Sequence, residues 1–282
     1  MSEKMTNFIV RTITGVLFVV VLVSCFLKPQ AMILLFAFIT GMTVWEYTGL
    51  VNEWDDIQVN RFISTVAGVY LFLAMAGYCT GMTPTTVFIP YLITILYLII
   101  AELFTKAPNP INNWAYTMLS QMYIALPFST INVLAFQTGS PGSYNEILPL
   151  SLFVFLWIND TGAYCAGSLL GRHKLFPRVS PGKSWEGSIG GAVFVLVAAA
   201  IVGWLTDGTD GSLSIPVWMG LGLVVVIFGT LGDLVESLFK RTLGIKDSGN
   251  VLPGHGGMLD RFDSSLMAIP AAVVYIFSLS LF

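Results

Sequence analysis

Apolar runs of about twenty residues recur along the whole chain, separated by short polar or Gly/Pro-rich breaks. A helix needs about 20 apolar residues to cross the hydrocarbon core of a bilayer. The pattern predicts nine such spans, at 8–27, 31–50, 62–80, 87–104, 115–136, 148–170, 187–206, 216–240 and 264–282. The runs are continuous, whereas the strands of a membrane barrel alternate apolar and polar positions over about ten residues. The expected fold class is therefore an all-α polytopic membrane protein.

Composition supports this reading. The 282 residues are 55% hydrophobic and only 10% charged, with a mean hydropathy of +0.80. Soluble chains carry roughly 25% charged residues, so lipid is the natural solvent for this one. The formal net charge of −3 gives no basic excess for nucleic acid. Cys25, Cys79 and Cys165 lie in or at the ends of spans without a CxxC, and read as small membrane-core residues. Phe26-Leu27-Lys28-Pro29 offers no small-residue cleavage site, so the first span reads as retained.

Placement of the cations adds orientation, because Lys and Arg favour cytoplasmic loops. With the N-terminus inside, twelve of the thirteen Lys and Arg fall on the cytoplasmic side and only Lys28 falls outside. The expected topology is N-terminus cytoplasmic and C-terminus outside. The chain also divides by loop character. Residues 1–147 read as a scaffold of five spans with short connectors, and residues 148–282 as the catalytic region. That region holds four spans and two long, basic, Gly/Pro-rich cytoplasmic loops, at 171–186 and 240–263. Loops of this kind are more often functional than connective.

Charges within the spans mark the chemistry, since intramembrane carboxylates are costly and are functional hypotheses by default. Asp160 follows Asn159 inside span six, and Asp233 and Glu236 lie in the last third of span eight. Asp233, Glu236 and Lys240 share one helix face. Glu236 and Lys240 also suit a plain internal ion pair. The second loop carries Lys240, Arg241, Lys246, Asp247, His255, Asp260, Arg261 and Asp263 among glycines. Glycines let backbone approach an anion, and the cations match phosphate oxygens. Carboxylates beside phosphate-binding cations suit Mg²⁺. Asp233 and Asp260 are positioned on neighbouring elements to share an ion; helix N-capping is the alternative for Asp260 or Asp263.

This second loop carries a resemblance. Ser237-Leu-Phe-Lys240-Arg241, then Lys246-Asp247, then His255-Gly256-Gly257-Met-Leu-Asp260-Arg261-Phe-Asp263 resembles the signature of the phosphatidate cytidylyltransferases, or CDP-diacylglycerol synthases. The likeness extends more loosely to Asn159-Asp160-Thr161-Gly162 and to Ser180-Pro181-Gly182-Lys183-Ser184-Trp185-Glu186-Gly187; the N-terminal half matches in span character alone. The resemblance implies synthesis of CDP-diacylglycerol and pyrophosphate from CTP and phosphatidic acid with Mg²⁺, and metal ligation by Asp233 and Asp260. Asp263 and Asp247 are expected to complete the metal shell, to bind a second cation or to orient the basic residues.

On this reading Lys240, Arg241, Lys246 and Arg261 hold phosphates, and His255 either donates to one of them or serves as a hydrogen-bonder of the loop. Asn159, Asp160, Lys183, Ser184 and Glu186 are expected to line the substrate site. Gly182-Lys183-Ser184 is not a P-loop, because Pro177 stands where the motif needs its first glycine. Asp160 and Asp233 are each followed by comparable Gly and Pro spacings, which suggests a degenerate parallel repeat of spans six and eight. Two rivals compete with a cytidylyltransferase. A proton or anion transporter predicts inverted repeats in both halves. A CTP-dependent polyprenol or phytol kinase needs a base for its alcohol. The expected setting is a bacterial inner membrane with the site at its cytoplasmic face and lipid as neighbour. Oligomeric state is open, a homodimer included.

Overall fold

A computed structural model describes residues 3–136, 143–209, 213–249 and 256–279, with side chains from residue 12 onward. His255 lies outside the described residues. The architecture is helical: α1 (Glu3–Phe26), α2 (Pro29–Val51), α3 (Arg61–Cys79), α4 (Ile89–Thr105), α5 (Pro110–Leu119), α6 (Leu126–Ala135), α7 (Ile147–Leu170), α8 (Trp185–Leu205), α9 (Ile215–Thr242) and α10 (Met258–Leu279). A π-helical turn, Ser120–Ala125, joins α5 to α6 into one span. Among the described residues eight helical segments are long and apolar enough to cross a membrane, and α1 adds an apolar stretch over Thr12–Phe26. All nine expected spans are thus helical in their described residues, apart from a residue or two at their ends.

Differences in detail have local causes. The fifth span starts earlier than its apolar run, at Pro110, because the Asn109 side chain caps it by accepting from the Asn112 N–H at 3.3 Å. The loop after span six is not irregular. It forms an antiparallel hairpin of β1 (Lys174–Phe176) and β2 (Ser180–Ser184), pairing Lys174 with Ser184 and Phe176 with Ser180. The loop after α9 instead turns at Gly244, whose φ is 71°. The two loops of the suggested repeat therefore fold differently.

The chain divides into two compact units. One comprises Met1–Glu146 and Leu243–Phe262; the other comprises Ile147–Thr242 and Asp263–Phe282. In the first, the buried Thr40, Thr43 and Thr48 return their hydroxyls to carbonyls one turn back and so are satisfied within α2. An aromatic cluster fixes the start of α10. Phe262 is buried against Phe18, Phe36 and Phe128, with ring centroids 5.7, 6.2 and 5.5 Å away. Edge-on pairs of this kind contribute beyond their area. Phe262→Ala is expected to destabilise the protein by about 3 kcal/mol through the cavity it leaves. Equilibrium unfolding in mixed micelles measures this; a change within error would show the cluster collapses freely.

In the second unit small residues set helix spacing, as membrane packing requires. A Cβ at Gly190 would collide with Ala166 of α7, and one at Gly222 would press on Ala199 of α8. The hairpin is pinned to α8 by Glu186. Its carboxylate accepts from the Arg172 and His173 N–H groups at 3.1 and 3.2 Å, and meets His173 Nδ1 at 2.5 Å.

Candidate active site

Three carboxylates converge in the second unit. Oxygens of Asp233, Glu236 and Asp263 all lie within 4.8 Å of one another. Helical spacing places Asp233 and Glu236 on one face of α9. A glycine brings Asp263 to them: a Cβ at Gly232 would strike the Asp263 carbonyl and the Ser264 backbone, so this position must stay bare for α10 to approach. Around the acids stand two lysines and a hydroxyl. Lys183, reaching from β2, forms an ion pair with Asp233. Lys240 pairs with the fully buried Glu236 at 2.6 Å. The Ser237 hydroxyl donates to Asp233 at 3.2 Å. Asp160 lies within electrostatic reach of Asp263.

Three carboxylates against two ammonium groups leave a net negative charge in a largely desolvated group. Uncompensated buried charge is expensive, and a cation is the natural remedy. The available donors are hard carboxylate oxygens, which fit Mg²⁺. The residues present therefore fit a divalent metal, with Asp233 and Asp263 as half-buried ligands and Glu236 already engaged by Lys240.

The first unit holds the rest of the signature. Asp260 caps its own helix: Oδ2 accepts from the N–H groups of Ser248 and Gly257, both at 2.8 Å. This is the capping alternative expected for Asp260, and the acid cluster holds Asp263 in the place expected of it. Lys246, Asp247 and Arg261 are exposed. Two glycines of this loop do approach an anion, but it belongs to the chain. A Cβ at Gly257 would collide with the carboxylate of Glu46, and one at Gly249 would come within 2.9 Å of it.

The other expected residues are placed as follows. Lys183 joins the acid group directly, a partnership that residue spacing does not reveal. Ser184 caps α8, accepting from the Gly187 N–H at 3.2 Å. Glu186 holds the hairpin. Asn159 is buried, and its Oδ1 has no hydrogen-bond partner among the described residues. Arg241 is exposed at the end of α9. Glu46 is absent from the expected set. The rule for intramembrane carboxylates that marks Asp233 marks it equally, since it lies inside span two.

Comparison with known proteins adds an independent finding. A model of the cytidylyltransferase family matches residues 9–279. A phosphatidate cytidylyltransferase of Staphylococcus aureus (strain COL) is 31% identical over 265 residues, covering 93% of this chain and 96% of the relative. A protein of the same name from Staphylococcus epidermidis is 33% identical over 266 residues with the same coverage. One from Staphylococcus haemolyticus is 31% identical over 264 residues.

Proposed function

The chain belongs to the cytidylyltransferase family, and from that premise we propose that it is an integral-membrane enzyme joining phosphatidic acid to CTP. An oxygen of the phosphatidate phosphomonoester attacks the α-phosphorus of CTP. The bond from that phosphorus to the β-phosphate bridging oxygen breaks, and pyrophosphate leaves with the electron pair. The product is CDP-diacylglycerol. The nucleophile is already ionised, so no strong general base is needed. The obstacles are bringing two polyanions together and stabilising the leaving group, which makes positioning and electrostatics dominant.

One observation carries the reading: the Asp233, Glu236 and Asp263 carboxylates meet within 4.8 Å beside Lys183 and Lys240, on membrane-spanning helices. Mg²⁺ is the proposed metal, held by Asp233 and Asp263, with Asp260 as the ligand that the family resemblance implies. When bound, it supplies charge neutralisation for the triphosphate and for departing pyrophosphate. Lys183 holds Asp233 oriented and is a cation at the acids for a substrate phosphate. Lys240, Arg241, Lys246 and Arg261 supply further phosphate contacts, arginine bidentately. The N-terminus is placed in the cytoplasm, on the charge bias of the loops, so that the site faces CTP at the inner face of a bacterial membrane.

The test uses purified full-length protein in detergent with phosphatidic acid, CTP and Mg²⁺. CDP-diacylglycerol and pyrophosphate are expected. CDP with a phosphorylated alcohol would indicate a lipid kinase, and no turnover of either kind would favour a transporter. Lys183→Met has an effect of definite sign. Turnover falls about 10²-fold on loss of a positioned charge. The Mg²⁺ concentration for half-maximal rate falls too, because one competing cation has left the acids. A raised Mg²⁺ requirement would contradict the pairing of Lys183 with the metal ligands.

A further inference from the structure

Glu46 lies in α2, about two hundred residues before the loop that bears the family signature, yet its carboxylate is bound entirely by that loop and the start of α10. Oε1 accepts from the Ser248 hydroxyl at 2.5 Å and from the Leu259 N–H at 3.0 Å. Oε2 accepts from the Met258 N–H at 2.8 Å. The side chain is buried. A buried carboxylate inside a membrane-spanning helix is costly to hold. The compensation comes from α10, whose N-terminal N–H groups are the orphan donors of a helix start. The loop is shaped to receive it. Gly249 and Gly257 stand where any side chain would collide with the carboxylate, and Asp260 ties Ser248 and Gly257 from the other side.

We propose that Glu46 is the positioning residue of the phosphate-handling loop. It occupies the N-terminus of α10 as an internal anion, so that this helix start is not itself a phosphate site. It fixes Ser248 and the first turn of α10, and so sets where Lys246, Asp247, Asp260 and Arg261 stand. The glycines at 249 and 257 are read by Glu46, not by the nucleotide. A bound charge does this better than a neutral cap, because hydrogen bonds to an ionised acceptor are shorter and stronger and because the carboxylate meets three donors at once. The scaffold half thereby contributes a residue to the site without touching substrate.

The functional consequence rests on the cytidylyltransferase reading; the structural one does not, and the test separates them. Backbone amide hydrogen exchange is measured on full-length protein in detergent without substrate. Glu46→Gln places an amide NH₂ against at least one N–H or O–H donor and removes the charge. Exchange at Ser248, Met258 and Leu259 is expected to rise at least about tenfold, with helices elsewhere unchanged. In the cytidylyltransferase assay the KM for CTP is expected to rise about tenfold or more, since small misplacements of positioning groups cost up to 10²-fold. The KM for phosphatidic acid stays as it was.

Ser248→Ala removes one neutral donor and leaves the charge and both backbone bonds. It carries the same test if Glu46→Gln fails to fold. About a threefold rise in the KM for CTP is expected, with faster exchange at the same amides. Unchanged exchange at Met258 and Leu259 in either folded variant overturns the proposal. So does a lower maximal rate that follows the folded fraction at constant KM, which would make Glu46 a stabilising cap only. Wild-type protein without cytidylyltransferase activity would instead refute the assigned reaction, with the exchange result still deciding the role of Glu46.

Discussion

Asp233→Asn is expected to lower turnover by about 10²–10³-fold, the cost of removing one charged group aimed at developing charge. Three features make this position the most sensitive. Asp233 is one of three carboxylates within 4.8 Å. It is the partner of Lys183 and the acceptor for Ser237. An amide preserves volume and one acceptor oxygen but removes the charge that both the metal and the lysine require. The fold should survive, because the change lowers the net negative charge of a group that already has more acids than cations. Steady-state kinetics and thermal unfolding in the same detergent measure the two effects. Wild-type turnover in a folded variant would remove Asp233 from the site.

Metal removal is expected to have an effect at least as large. Chelation should abolish turnover, and Mg²⁺ should restore it. Asp263→Asn should raise the Mg²⁺ concentration for half-maximal rate about tenfold or more, as loss of an anionic ligand predicts. Asp260→Asn is the informative comparison. Its Oδ2 receives two backbone N–H groups, so if Asp260 only caps α10, the variant should raise the KM for CTP without changing the Mg²⁺ requirement. A shift in the Mg²⁺ requirement would make it a ligand as the resemblance implies. Activity that persists through exhaustive chelation would rule out the metal assignment altogether.

The parts of the molecule legible from residues alone are those set by local chemistry. Helical spans follow from runs of apolar residues, because a backbone in lipid must satisfy its own hydrogen bonds. The pairing of Glu236 with Lys240 follows from helical spacing. The acids of the site stand out because charge is rare where everything else is apolar. The hairpin at Lys174–Ser184 was not legible. Its strands are three and five residues long, too short for a periodic signal, and Glu186 holds it from the next helix. Glu46 was missed for a different reason. It stands in an otherwise ordinary span, far along the chain from the signature residues, and its spacing points to none of the partners that the fold gives it.

By itself, the sequence determined a polytopic helical protein with many of its few charges gathered in two loops, because hydropathy and charge rarity are properties of residues in order. The tertiary structure decided the partners. It set Lys183 on Asp233, brought Asp263 to α9 across Gly232, and set Gly249 and Gly257 of the second loop against Glu46. Those pairings depend on which helix faces which, and in a membrane that choice rests on small residues permitting close approach and on polar groups finding each other. Neither leaves a periodicity to be read along the chain.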